Sequence, residues 1–190
     1  MRPLIGPLIV CVLAAIATHI GALVVLPSAI MGRALTGMAT PQGVNMMVAR
    51  PRADASARAI VRPSPDLLYS TCVFDVSEGP VTVSFPKVTG TYVSVAFYDE
   101  ATNNFFAVND TQAPFDVIEA VIATGAQRPQ TDMPVIFAPG KKGLVLVRLL
   151  INDEARLAEL EAARQSGTCA PFAPPVPPDV PAPLPKPETP

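Results

Sequence analysis

The 190-residue chain has one histidine, His19, and it lies in an apolar stretch near the N-terminus, away from the polar part of the sequence. A lone imidazole cannot build a zinc or haem site, and no other ligand-rich cluster accompanies it. Nor does it leave a base for a Ser or Cys nucleophile in the body of the chain. Gly-x-Ser-x-Gly is missing, and so is a glycine-rich phosphate loop. Asp66, Asp75 and Asp99 could converge as a carboxylate pair, but no spacing argues for glycosidase chemistry. Neither a metal nor a cofactor is expected. Charge is also scarce, at 16 % of residues, and it is segregated. Arg33, Arg50, Arg52, Arg58 and Arg62 face one early acid, Asp54, whereas residues 63–140 hold nine acids against Lys87 and Arg128. Nucleic-acid binding needs a basic face on the folded domain itself and is not expected.

Between Arg2 and Arg33 no side chain is charged. Leu8 to Leu26, bracketed by Pro7 and Pro27, offers 19 helical residues, or about 28 Å at ~1.5 Å each, close to the hydrocarbon thickness of a bilayer. Residues 1–32 are therefore read as a single transmembrane anchor. A cleaved signal peptide is the competing reading, with Ala15-Ile16-Ala17 as a small-x-small site, but the apolar run continues well past it. His19 inside this helix draws functional suspicion, although a neutral imidazole bonded to a carbonyl is the simpler account. Residues 28–40 can prolong the helix until Pro41-Gln42-Gly43 breaks it. Residues 33–61 form a basic connector whose arginines either lie on anionic headgroups, at about 1 kcal/mol each, or belong to a soluble linker.

Turn signals divide residues 62–170 into short strands. Arg62-Pro63-Ser64-Pro65 imposes extended backbone. Tyr69–Val76 and Val81–Phe85 alternate about Ser77-Glu78-Gly79-Pro80 and read as a hairpin. Tyr92–Tyr98, Phe105–Val108, Val117–Ile122 and Pro134–Ala138 follow as further strands. Gly143–Ile151 is apolar except for Arg148, the pattern of a strand buried on both faces. Asn152 or Asp153 caps a helix that runs to about Gln165 and stops at Gly167, with Leu157, Leu160 and Arg164 on one stripe. About seven strands and one C-terminal helix point to a mainly β fold, a β-sandwich or barrel-like domain. Residues 171–190 form a proline-rich tail expected to be extended and disordered.

Arg148 cannot be buried alone. Asp66, Asp75 or Asp99 would pair with it, or it would grip an anionic ligand with its planar fork. Asp66, Tyr69, Asp99, Asn103 and Arg148 are the candidate ligand-binding set; ordinary turn chemistry is the alternative for the polar residues near strand ends. Charge placement around the anchor, with only Arg2 and the terminal amine before it and arginines after it, would put the body on the cytoplasmic side. Cysteine usage argues the opposite. Cys11 lies in the anchor, and the body keeps Cys72 and Cys169, an even number suited to one disulfide in an oxidising compartment, or else two unrelated thiols.

The run RPSPDLLYSTCVFDVSEGPVTVSFP followed by TYVSVAFYDEATNNFF resembles the bacterial domain of unknown function 1254 family. The matching positions are Arg62, Pro63, Asp66, Leu68, Tyr69, Ser70, Gly79, Pro80, Val81, Pro86, Tyr92, Ser94, Asp99 and Phe105. The closing stretch FAPGKKGLVLVRLLINDEARLAELEAARQ is similar as well. Ser64 and Leu67 depart from the family's usual Asn and Thr. The resemblance implies a short, membrane-anchored form in the bacterial inner membrane with a periplasmic body. It also implies a companion protein carrying the domain of unknown function 1214. Without a catalytic motif, the expected role is an interaction module; half of a composite enzyme or small-ligand site completed by the companion is the alternative.

Overall fold

The computed structural model describes residues 4–39, 43–58 and 62–174. Its body is a two-sheet β-sandwich. Strands β1 (Val48–Ala49), β2 (Leu67–Asp75), β3 (Val81–Pro86), β4 (Val93–Asp99), β5 (Asn104–Asn109), β6 (Val117–Thr124), β7 (Val135–Ala138), β8 (Lys142–Leu150) and β9 (Thr168–Pro171) are flanked by helix α1 (Ile5–Ala39) and helix α2 (Leu157–Ser166). The larger sheet has the order β1-β2-β8-β4-β5 and the smaller β7-β6-β3-β9. Pairing is antiparallel except between β6 and β7.

Period-two alternation explains the layers. Leu68, Cys72 and Phe74 of β2, Val95 and Phe97 of β4, and Val145, Val147 and Leu149 of β8 turn one face of the larger sheet inward. Val81, Val83, Phe85, Ile118, Ala120 and Ile122 do the same from the smaller sheet. Burying a side chain of this size contributes about 1.5–3 kcal/mol. Gly143 lets the sheet close over Phe74, since a Cβ there would stand 2.2 Å from the Tyr98 carbonyl and 2.4 Å from the Phe74 ring.

The mainly β expectation holds, with a different connectivity. Strands β2 and β3 do not form a hairpin. They lie in opposite sheets, and Ser77–Pro80 carries the chain across the sandwich. Alternating apolar residues suit two facing layers as well as two paired strands, so periodicity alone does not separate the two. The true hairpin is β4–β5, turned at Thr102 with φ 68°. Strand β8 is also not buried on both faces. Its inner face is sealed, but on its outer face only Leu144 is covered, while Leu146, Arg148 and Leu150 are half-buried.

Helix α1 runs through Pro27 and continues to Ala39, the prolongation that residues 28–40 allowed. Proline removes a single donor, and one lost bond need not end a long apolar helix. From Ile5 to Ile30 none of its residues is buried, whereas Met31, Ala34 and Leu35 pack on Val73 and Leu144 at the outer face of the larger sheet. Asp153 accepts from the Ala155 N–H at 2.9 Å and starts the turn leading into α2. Leu160 of α2 is fully buried, and α2 touches β1, β2 and β3, closing one side of the sandwich. After Gly167 the chain adds β9, with Pro171 opposite Val81 on the sheet edge, where a missing N–H is tolerated. Pro171, expected in the tail, thus belongs to the ordered body, and most of the expected tail, 175–190, lies outside the described residues.

Cys72 and Cys169 are joined in a disulfide, with Cα atoms 6.4 Å apart and a sequence separation of 97. The bond ties β2 of one sheet to β9 of the other and pins the strand that follows α2.

Candidate functional site

Registration of the three central strands of the larger sheet places Tyr69, Arg148 and Ser94 side by side in one outward-facing row. The connector crosses above this row. The Arg50 N–H donates to the Tyr69 carbonyl at 2.9 Å. Its guanidinium donates to Thr71 Oγ1 at 2.7 Å and to the Met38 carbonyl, in the last turn of α1, at 3.0 Å. Arg164, 6 % exposed on α2, holds the arrangement from behind. It donates to the carbonyls of Arg50 and Tyr69 and is neutralised by Glu161. Tyr69 Oη accepts from the Ser64 N–H at 3.0 Å and fixes the Pro63–Ser64 turn.

Between sheet and connector lies a recess of about 480 Å³. Arg50, Arg62, Tyr69, Thr71, Leu146 and Arg148 line it, and Pro51, Ala53, Ala57 and Pro63 wall it. No carboxylate is among the lining residues. Burial lowers the pKa of Arg50 from its ordinary value, the mark of a guanidinium partly stripped of water.

The anticipated ion pair of Arg148 with Asp66, Asp75 or Asp99 is not formed. Arg148 donates instead to Tyr98 Oη at 3.2 Å. Asp75 pairs with Lys142 at 3.2 Å. Asp99 accepts from the N–H groups of Ala101 and Asn103, at 2.8 and 2.9 Å, and from the Asn103 side chain at 2.9 Å, shaping the β4–β5 turn. Burial pushes the Asp99 carboxyl up, but these hydrogen bonds outweigh it and the pKa lies below the usual value. Asp66 sits at the exposed start of β2, where its carbonyl accepts from Ile151 N–H. Of the five candidate residues, Tyr69 and Arg148 therefore meet in the recess, while Asp66, Asp99 and Asn103 lie outside its lining. Arg50 and Arg62, read from the sequence as connector charge and turn, complete it. No local signal marks them, since Asp54 and Asp66 each stand four residues away and let either arginine read as ordinary surface charge.

A second concavity, about 540 Å³, opens between the sheets on the side away from α2. Val95, Phe97, Phe106 and Val108 face Val83, Ile118, Ala120 and Ile136 across it, with Asp116, Glu119 and Asp132 also in its lining. Phe106, on edge strand β5, and Phe115 are 42 % and 75 % exposed. Among the described residues no group of three metal-ligating side chains occurs.

Comparison with known proteins gives a family and a fold. The chain resembles the crystal structure of the VPA0106 protein from Vibrio parahaemolyticus with a TM-score of 0.63 at 11 % identity, over 79 % of this chain and 36 % of that one. An uncharacterised protein from Burkholderia cenocepacia aligns with a TM-score of 0.42 at 16 % identity, over 57 % of this chain and 32 % of that one. This chain thus spans about a third of the length of each. No curated protein matches. The family model described as protein of unknown function (DUF1254) matches residues 44–171, two thirds of the chain, and the protein belongs to that family.

Proposed function

We propose that this protein is a single-pass, membrane-anchored envelope protein whose β-sandwich, on the periplasmic side of the bacterial inner membrane, is an interaction module for a companion domain. The carrying observation is the seat of α1 on the body. Its exposed apolar part is long enough to span a bilayer, and the same continuous helix ends with Met31, Ala34 and Leu35 packed on Val73 and Leu144. Such a joint serves a retained anchor, because cleavage after Ala17 would leave the apolar segment 18–30 exposed ahead of it. The Cys72–Cys169 disulfide favours an oxidising compartment.

The companion reading rests on surface. Here the sandwich leaves open the side bounded by β5, with Phe106 and Phe115 at an apolar cleft. A companion carrying the domain of unknown function 1214 would cover that side. In membranes of the native bacterium, photo-crosslinking from a probe at Phe106 should trap one partner of this type. A probe at Glu78, in the turn between β2 and β3, should trap none. Equal products from both positions, or none from Phe106, would contradict the proposal.

A further inference from the structure

The ion pairs of the body take Arg52 with Glu154, Arg156 with Glu159, Arg164 with Glu161 and Lys142 with Asp75. None involves the three arginines of the recess. Arg50 spends part of its fork on Thr71 and Met38, Arg148 one nitrogen on Tyr98, and Arg62 has no hydrogen bond among the described residues. Three cations around one hollow without an acid repel one another, and a guanidinium of Arg50's burial has lost hydration without an ionic partner. An anion placed there would relieve both penalties. Planar guanidinium forks match the oxygens of phosphate and carboxylate, and three of them favour the more highly charged and more oxygen-rich group. The hollow is also larger than a bare anion needs, and Pro51, Ala53, Ala57, Pro63 and Leu146 give it apolar walls.

We propose that the recess between Arg50, Arg62 and Arg148 binds a phosphate ester, its phosphoryl oxygens on the guanidiniums and its organic part on the proline and alanine walls. Two sources share that chemistry. Met38 lies 12 residues beyond Leu26, roughly 18 Å along the helix and past the headgroup layer of about 5–8 Å, so an anionic lipid headgroup is one source if the helix tilts and brings the connector face of the body down to the bilayer. A soluble phosphate ester is the other. Neither requires the companion domain nor depends on which side of the membrane the body occupies.

The test uses the full chain in nanodiscs, with phenyl phosphate as the soluble probe, benzoate as the carboxylate control, and discs of phosphatidylcholine with or without phosphatidic acid. Thermal unfolding and ³¹P line broadening report binding. Phenyl phosphate binding in phosphatidylcholine discs, weakened about tenfold or more by Arg62→Gln and by Arg148→Gln, supports a soluble ester. Stabilisation only in phosphatidic-acid discs, lost in the same variants, supports the headgroup. Among the described residues Arg62 makes no hydrogen bond, so Arg62→Gln keeps the test valid if Arg148→Gln destabilises the sheet, while Arg128→Gln, outside the recess, should bind like the parent. No response in either arm overturns the inference. So does an equal response to benzoate, or unchanged binding by both recess variants.

Discussion

Reducing the Cys72–Cys169 bond should be the most damaging single chemical change to the body. The bond closes a loop of 97 residues, and in the chain-entropy treatment such a crosslink removes about 4–5 kcal/mol of freedom from the unfolded state. Spread over the matched residues 44–171, with an unfolding entropy of about 2.1 cal/mol/K per residue, that loss corresponds to roughly 15–19 °C in Tm. Both cysteines are buried, Cys72 completely and Cys169 to 6 % exposure, so alanine variants would add a packing defect to the lost crosslink. The cleaner comparison is the oxidised against the reduced parent chain in detergent, followed by circular dichroism, with thiols counted by alkylation and mass spectrometry before each scan. Oxidised protein should yield a Cys72–Cys169 linked peptide and the higher Tm. Freely alkylated thiols in natively expressed protein, or a Tm within about 3 °C after complete reduction, would refute the reasoning.

Other outcomes follow from close packing and from two hydrogen-bonded carboxylates, Asp75 and Asp99. Gly143→Ala should destabilise the body by about 3 kcal/mol or more, because the new methyl meets the Tyr98 backbone and a buried ring rather than a flexible side-chain end; denaturant unfolding measures it. Leu35→Ala should lose about 2 kcal/mol and speed hydrogen exchange in residues 43–50 and in β2 near Val73, with β6 and β3 unaffected. Burial opposes the shift, but hydrogen bonds (Ser77 and Lys142 for Asp75, Asn103 and Ala101 for Asp99) hold both carboxyls below the ordinary aspartate value of about 3.9. Their contribution is complete above the unfolded pKa and disappears as pH falls through the folded ones. Tm should therefore be flat above about pH 5 and drop below about pH 4. Asp99→Asn should shallow that drop.

Most strands were legible because alternation and turn residues are local signals. Val81–Phe85 reads as a strand from sequence and is one. Which sheet it joins was not legible, since Ser77-Glu78-Gly79-Pro80 serves a hairpin or a crossing between layers equally well. Strand β1 escaped notice because two residues carry no period, and β9 because its Pro171 reads as the start of the tail. The site was half legible. Arg148 stood out as a charge inside an apolar strand, and Tyr69 as its neighbour on β2 is a register fact that only pairing reveals. The expected carboxylate partner failed for a physical reason. Asp99 has nearer donors in its own turn and Asp75 has Lys142 directly opposite, so neither needs Arg148. Arg50 reaches the recess only because β1 and Arg164 fold the connector back over the sheet, a long-range arrangement without a sequence signature.

Protease accessibility in intact spheroplasts of the native bacterium, with the surviving fragment identified by mass spectrometry, tests the anchored periplasmic assignment most directly. The account predicts that added protease removes the β-sandwich without lysis and leaves a membrane-embedded fragment that begins at the chain's own N-terminus and includes the whole of Leu8–Leu26. A body that stays intact until the membrane is opened, or a chain whose N-terminus lies just beyond Ala17, would contradict it.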